Sequence, residues 1–196
     1  MIDDVTCIIL AGGKSSRMGR DKSFVRFLGK PLVENVIDKM VPIFKETIIV
    51  TNSPHLYTKY NIETRVDILK DRGPLGGIHT GLTYSKNIYN LVVACDMPFL
   101  NENLINTMIM AGLKDHDAVV PRYKGRLEPL CSIYSKSCIK PIESAISRND
   151  LKIASFLKLV KTKIIEEDII SMAVSDRSFI NINTPEELDR CQPTTA

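Results

Sequence analysis

Residues 5–22 read Val-Thr-Cys-Ile-Ile-Leu-Ala-Gly-Gly-Lys-Ser-Ser-Arg-Met-Gly-Arg-Asp-Lys, and this stretch decides the fold. Val5–Leu10 is apolar without alternation, the mark of a strand buried on both faces. It runs directly into Gly12 and Gly13, then into Lys14, Arg17, Arg20 and Lys22. Glycines let backbone N–H groups come close to a ligand. The cations put positive charge in the same turn, and such a loop suits a polyphosphate. It is not a dinucleotide fingerprint, since no G-x-G-x-x-G occurs here. Nor is it a Walker A loop, because Gly19 is followed by Arg20 rather than by Lys-Ser or Lys-Thr. A plain strand-to-helix turn would need neither the paired glycines nor the crowd of cations.

Further along, strand-like and helix-like runs alternate. Pro31–Phe44 reads as a helix, with Leu32, Val36, Ile37, Met40 and Val41 at helical spacing. Thr47–Thr51 is a β-branched strand and Thr64–Ile68 a shorter one. Gly76–Ser85 opens a helix after Gly73-Pro74. Leu91–Cys95 is a buried strand, Asn103–Gly112 a helix and Ala118–Pro121 a strand. Pro129–Tyr134 suits an antiparallel strand. Ser137–Ser147 is a helix with a break near Pro141, Leu151–Leu159 another helix, and Thr162–Glu166 returns to the sheet. The expected fold is α/β: a mainly parallel sheet with helices on both faces, three layers in all. A chain of 196 residues without a dividing linker predicts a single domain over 1–196.

In an open parallel sheet, ligands bind beyond the carboxyl ends of the strands. The glycine-rich loop, Asn52, Asp67, Gly73–Gly77 and Asp96 all fall on that one edge. Asp96 ends a buried run, and Pro98 fixes the turn beyond it. A carboxylate there is a good Mg²⁺ ligand, because Mg²⁺ takes one or two carboxylates together with phosphate oxygens and water. The alternative is that Asp96 only ends its strand or makes an Asx-turn. Gly73 and Gly77 suit either a turn or close approach to a substrate. Thr184-Pro185-Glu186-Glu187 forms a capping box at a helix start, which leaves Asn181 and Asn183 without a structural reason.

The net charge is +3, too mild to call for nucleic acid or a membrane surface. No apolar run approaches the roughly 18 residues of a membrane span, and no leader-like segment precedes Val5, so a cytoplasmic setting is expected. The five cysteines are odd in number and lack Cys-x-x-Cys spacing, which argues against a disulfide framework or a thiolate metal site. His55, His79 and His116 lack ligand spacing.

Leu10–Lys22 resembles the signature loop of nucleotidyltransferases that release pyrophosphate from a nucleoside triphosphate. Gly12-Gly13-Lys14 with Arg17-Met18-Gly19 and Asp21-Lys22 is most similar to the molybdenum cofactor guanylyltransferase (MobA) family. Gly73-Pro74-Leu75-Gly76-Gly77, Asp96-Met97-Pro98 and Asn181-Ile182-Asn183-Thr184-Pro185-Glu186-Glu187-Leu188 resemble its later signatures, in the same order. The resemblance implies a Rossmann-like nucleotidyltransferase fold, GTP and molybdopterin as substrates, and Mg²⁺. By the same resemblance the partners include molybdenum-insertion proteins and molybdoenzyme chaperones. Asp67 matches the aspartate near the guanine or ribose, with Asp71 as its rival. Asn181 and Asn183 face the active site, Asn183 near the metal or the second substrate. An amide in place of a carboxylate there argues against a second metal. Glu128-Pro129-Leu130 either lines the second substrate's pocket or only starts a strand.

The implied chemistry is attack by the terminal phosphate of molybdopterin, with or without molybdenum, on the α-phosphorus of GTP. Pyrophosphate leaves and a guanine dinucleotide forms. An anionic phosphate needs no general base, so catalysis rests on positioning and electrostatics. Backbone groups of Leu10, Ala11, Gly12 and Gly13 would hold the nucleotide, with Asn52 on the same edge. Lys22 would neutralise charge on the α-phosphate. Lys14 and Arg17 would hold the triphosphate, and Asp96 would carry the metal. The same residues would serve a molybdopterin cytidylyltransferase or a sugar-phosphate nucleotidyltransferase. A non-catalytic nucleotide-binding protein is disfavoured by the presence of both Lys22 and Asp96.

Overall fold

The computed structural model describes residues 1–12, 22–170, 175 and 177–191, with side chains for all but Pro185. Strand β1 (Val5–Leu10) is buried at every residue. A short hairpin follows, β2 (Arg26–Phe27) with β3 (Lys30–Pro31), turning through Leu28 and Gly29 at positive φ. Helix α1 (Leu32–Met40) buries Leu32, Val33, Val36, Ile37 and Met40. It is shorter than the predicted Pro31–Phe44. Pro31 pairs across the hairpin with Arg26, and Phe44 bridges to Ile2.

Strands β4 (Thr47–Val50) and β5 (Glu63–Arg65) come next. The chain leaves the sheet after Arg65 rather than continuing to Ile68. Val66 and Ile68 are 42% and 43% exposed, so nothing buries them as strand residues. Helix α2 (Gly73–Tyr84) starts earlier than the predicted Gly76, with Pro74 in its first turn. Strand β6 (Tyr89–Ala94) leads to α3 (Glu102–Met110), whose Asn101 cap accepts the Leu104 N–H at 2.9 Å.

Strand β7 (Ala118–Tyr123) turns through Lys124 and Gly125 into β8 (Arg126–Leu127), and β9 (Cys131–Ser135) follows. Helix α4 (Ile139–Ser147) runs through Pro141 without the expected break. Pro141 stands in the first turn, where an N–H has no helical acceptor and its absence costs nothing. The expected helix over 151–159 is α5 (Ile153–Phe156) and a separate 3-10 turn, Leu157–Leu159. Strand β10 (Thr162–Ile165), α6 (Glu167–Ile170) and α7 (Pro185–Cys191) complete the described chain.

The sheet order is β10-β7-β9-β6-β1-β4-β5, with β8 paired to β7. β1 pairs in parallel with β4 and β6, β4 with β5, and β7 with β10. β9 runs antiparallel between β6 and β7, as the Pro129–Tyr134 reading predicts. One face packs under α1 and α3 through Ile9, Ile49, Val93 and Ile133. The other packs under α2, α4 and α5 through Ile8, Ile48, Val92 and Tyr134. That double cover is why the central strands lack polar alternation. The chain builds β4 and β5 on one side of β1 and then crosses to β6 on the other. The crevice therefore opens at the carboxyl ends of β1 and β6.

Candidate active site

At that crevice three residues far apart in the chain converge. Lys22 opens a 3-10 turn, Lys22–Phe24. Its Nζ donates to Asp96 Oδ2 and to Asn183 Oδ1. Lys22 and Asp96 are only 16% and 13% exposed. Asp96 follows β6, and its backbone oxygen accepts the Ile182 N–H at 3.0 Å, which docks the 181–183 segment beside it. Asn183 Nδ2 donates to the Asn181 carbonyl at 3.4 Å, leaving Oδ1 turned to Lys22. The predicted capping box fixes this segment from behind. Glu187 Oε2 accepts the N–H groups of Asn183 and Thr184 at 2.6 and 3.1 Å. Thr184 Oγ1 accepts the Glu187 N–H at 3.2 Å. The second oxygen of Asp96, Oδ1, is buried and accepts no hydrogen bond among the described residues. A buried carboxylate oxygen left this way costs free energy until a donor or a cation meets it. One such carboxylate beside a phosphate site fits the sparse protein ligation of Mg²⁺.

A second polar group lies beyond β4 and β5. Asn52 Nδ2 donates to Asp67 Oδ2 at 2.9 Å. Asp67 Oδ1 is buried and also without a hydrogen bond among the described residues. Burial raises the Asp67 carboxyl above its ordinary pKa, and the Asn52 hydrogen bond offsets this only in part. Gly77 borders this group: a Cβ there would lie 3.8 Å from Asp67 Oδ1 and 3.1 Å from Leu10 Cδ2. Asp71 is exposed in the loop before α2, at φ +57°. Gly73 also has a left-handed φ, +58°, which a side chain would strain. Three strand spacings, about 14 Å, separate the ends of β5 and β6. Only an elongated ligand reaches both groups.

Between them runs the start of the glycine-rich loop. Ala11 N–H donates to Val50 O at 2.9 Å, and Leu10 O accepts the Cys95 N–H at 3.1 Å. Tyr57, fully buried, donates its hydroxyl to Ala11 O at 3.2 Å. These bonds hold the strand end rigidly, and Gly12 lies exposed just beyond it. Gly13, Lys14 and Arg17 fall outside the described residues. No cluster of three metal-ligating side chains occurs among the described residues. All five cysteines are buried thiols outside any disulfide. Burial raises the Cys7 and Cys131 thiols far above the ordinary range, so these two act as small apolar residues.

The model of the MobA-like NTP transferase domain matches residues 7–164. The chain belongs to that family. A probable molybdenum cofactor guanylyltransferase of Clostridium perfringens is 38% identical over 186 residues, covering 92% of each chain. The molybdenum cofactor guanylyltransferase of Desulfosudis oleivorans is 37% identical, covering 97% of this chain and 96% of its own. The crystal structure of molybdopterin-guanine dinucleotide biosynthesis protein A from Archaeoglobus fulgidus superposes with a TM-score of 0.84 at 30% identity. It covers 94% of this chain and 95% of that one. The Rossmann-like fold and the nucleotidyltransferase class that the four sequence blocks imply are therefore those of this MobA-like protein.

Sequence reasoning singled out Lys22, Asp96, Asn181, Asn183, Asn52 and Asp67, and the structure gathers them into these two groups on one edge. Sequence reasoning passed over Tyr57, and it took Gly76 together with Gly77 as one block on the ligand edge. A Cβ on Gly76 would meet Leu69 O at 2.8 Å, so this glycine answers to packing. Its signal was present in the Gly-Gly pair, but only the loop's path separates its role from that of Gly77. No helix among the described residues is long and apolar enough to cross a membrane.

Proposed function

We propose that this MobA-like nucleotidyltransferase moves GMP from GTP to the terminal phosphate of molybdopterin. The observation that carries the reading is the meeting of Lys22, Asp96 and Asn183 at the carboxyl ends of β1 and β6, with Asp96 Oδ1 buried and without a hydrogen bond among the described residues. The names of the relatives, at 37–38% identity over nearly the whole chain, supply the substrates. Lys14 and Arg17 are assigned to the triphosphate, and Gly12 with Gly13 to backbone contacts. Asn52, Asp67, Gly73 and Gly77 are assigned to the nucleoside side.

An oxygen of the acceptor phosphate forms a bond to the α-phosphorus of GTP as the bond to the β-phosphate oxygen breaks, and pyrophosphate leaves. The acceptor is already anionic, so no side chain has to remove a proton. Lys22 is assigned to the charge that grows on the α-phosphate, and its hydrogen bonds to Asp96 and Asn183 supply the fixed position that electrostatic preorganisation requires. Asn183 keeps that ammonium in place. Asp96 Oδ1 would hold Mg²⁺, which would supply neutralisation of the phosphates. A cytoplasmic setting, and transient contact with proteins that insert molybdenum or deliver the product, belong to the same proposal.

The test is pyrophosphate release from each of the four NTPs with Mg²⁺, with and without molybdopterin. Release with GTP that depends on molybdopterin is the expected result. Release with CTP, or with a sugar phosphate as acceptor, would keep the chemistry and replace the substrate.

A further inference from the structure

Helix α2 reaches the Asn52–Asp67 group through a side chain that none of the chemistry above uses. Thr80 is fully buried, and its Oγ1 accepts the Ile68 N–H at 3.0 Å. Ile68 directly follows Asp67. The two partners are 12 residues apart, so no local turn imposes this bond. The segment it holds has little else to fix it. The chain leaves the sheet after Arg65, whose carbonyl accepts the Thr51 N–H at 2.9 Å. Val66 and Ile68 are exposed, so burial of their side chains does not seat them. Among the described residues, the Thr80 hydroxyl supplies the one hydrogen bond to the backbone of residues 66–68. Asp67 nevertheless keeps Oδ1 buried without a hydrogen bond among the described residues. A carboxylate on an untethered segment would leave that position for water.

Asn52, the other member of the group, is held differently. Thr51 Oγ1 accepts the Ser53 N–H at 3.2 Å, a local turn that fixes Asn52 at the end of β4. Asp67 depends instead on α2, and α2 is a rigid mount. Gly81, next to Thr80, lies so close to β1 that a Cβ there would fall 2.5 Å from Ile8 Cγ2. Ile78 and Leu82, to either side of Thr80 in the chain, are fully buried. Gly77 is three residues before Thr80 and shares its helix face. A Cβ on Gly77 would lie 3.8 Å from Asp67 Oδ1. One face of α2 thus gives the Asp67 segment both its space and its anchor. Packing alone would be served by a valine at position 80, which has the same shape as threonine. The hydroxyl is the part of Thr80 that packing does not require.

We propose that Thr80 is a positioning residue for the nucleoside end of GTP, its hydroxyl fixing the backbone that presents Asp67 to the ligand. The inference rests on the guanylyltransferase reading and its assignment of Asp67 to the nucleoside side. GTP affinity of the full chain with Mg²⁺ is measured by titration, kcat by pyrophosphate release, and melting alongside. The proteins compared are the wild type, Thr80→Val, Thr80→Ser, Asp67→Asn and the Thr80→Val, Asp67→Asn double variant. Thr80→Val should weaken GTP binding roughly 3–10-fold, the loss expected for one hydrogen bond. Its kcat at saturating GTP and its melting should stay near those of the wild type. Thr80→Ser should show the reverse: GTP affinity close to wild type, and lower melting from the lost buried methyl group. In the Asp67→Asn background, Thr80→Val should add little further loss of affinity, because it acts through that side chain. A threonine with only a structural role does not give this crossed pattern. Unchanged GTP affinity in Thr80→Val, or full additivity with Asp67→Asn, overturns the inference and leaves the guanylyltransferase reading standing. Equal loss of affinity in Thr80→Ser and Thr80→Val, or melting of Thr80→Val well below the wild type, makes Thr80 a support of the fold and overturns the inference as well. A wild type that binds no GTP overturns the reading itself, and the inference with it, before any variant is compared.

Discussion

Lys22 is held by Asp96 and Asn183, so in the proposed reaction its ammonium would need little reorganisation. Replacing it with Ala removes a preorganised charge, and kcat should fall on the order of 10²–10³-fold. Near-normal turnover by a folded Lys22→Ala protein would remove Lys22 from the mechanism. Asp67 shows the opposite balance. Its raised pKa means that ionising it in the folded protein is unfavourable, because Oδ1 is buried without a donor among the described residues. A carboxyl whose folded pKa exceeds the unfolded value weakens the fold once pH rises through the folded pKa. Asp67→Asn should therefore melt higher than the wild type at pH 7. The gap should close as pH falls toward the ordinary carboxylate pKa of 3.8. The same variant should bind GTP more weakly, measured by titration. Equal melting at pH 7 would show that the orphan oxygen carries no penalty. Lys22, Asp96 and Asp67 were legible in the sequence because each follows an apolar strand on the ligand edge. That Asp67 rather than Asp71 pairs with Asn52 was not legible, since it depends on where β5 ends.

Helix α2 holds glycines that packing requires and one, Gly77, that the proposed function assigns to the ligand edge. A Cβ on Gly81 would fall 2.5 Å from Ile8 Cγ2, and one on Gly76 would fall 2.8 Å from the Leu69 carbonyl. The first neighbour is a buried side chain in the central strand and the second is backbone, so neither moves cheaply. Gly76→Ala and Gly81→Ala should each destabilise by about 1–3 kcal/mol from overpacking, less the small gain in helix propensity. Gly77→Ala meets only the tip of Leu10 and should cost less stability. Its methyl group, however, would stand beside Asp67 Oδ1, so it should weaken GTP binding more than its melting shift explains. Denaturant unfolding and GTP titration of the three variants check this. Loss of stability without loss of affinity in Gly77→Ala would make that glycine structural as well. The long elements were readable because their apolar runs carry a clear period. The two-residue strands β2, β3 and β8 have too few residues to show one. Helix ends shifted wherever a neighbour set the boundary, as Arg26 does by pairing with Pro31.

At the scale of the whole molecule, the candidate site is closed by the C-terminal segment, whose Asn183 is 161 residues from Lys22. A small cluster of Val25, Phe27, Leu32, Ile182 and Cys191 joins the hairpin after Lys22 to that segment, apart from the two large cores of the sheet. Ile182 is fully buried there, between Asn181 and Asn183, and its N–H reaches the Asp96 carbonyl. The cluster therefore sets the distance between Lys22 and Asn183 while contributing little to the sheet. Ile182→Ala should cost about 2–5 kcal/mol at that cluster as a buried large-to-small change. Because the sheet has its own cores, much of this cost should appear as local opening of residues 177–191 rather than as global unfolding. Amide exchange should speed up in that segment and in the β2–β3 hairpin, and stay slow in β1, β4 and β6. Turnover should fall with the local opening, since a displaced Asn183 no longer holds the Lys22 ammonium. If Ile182→Ala exchanged uniformly faster across the sheet, or kept full turnover while the segment opened, the C-terminal segment would be a support of the fold and not a wall of the site.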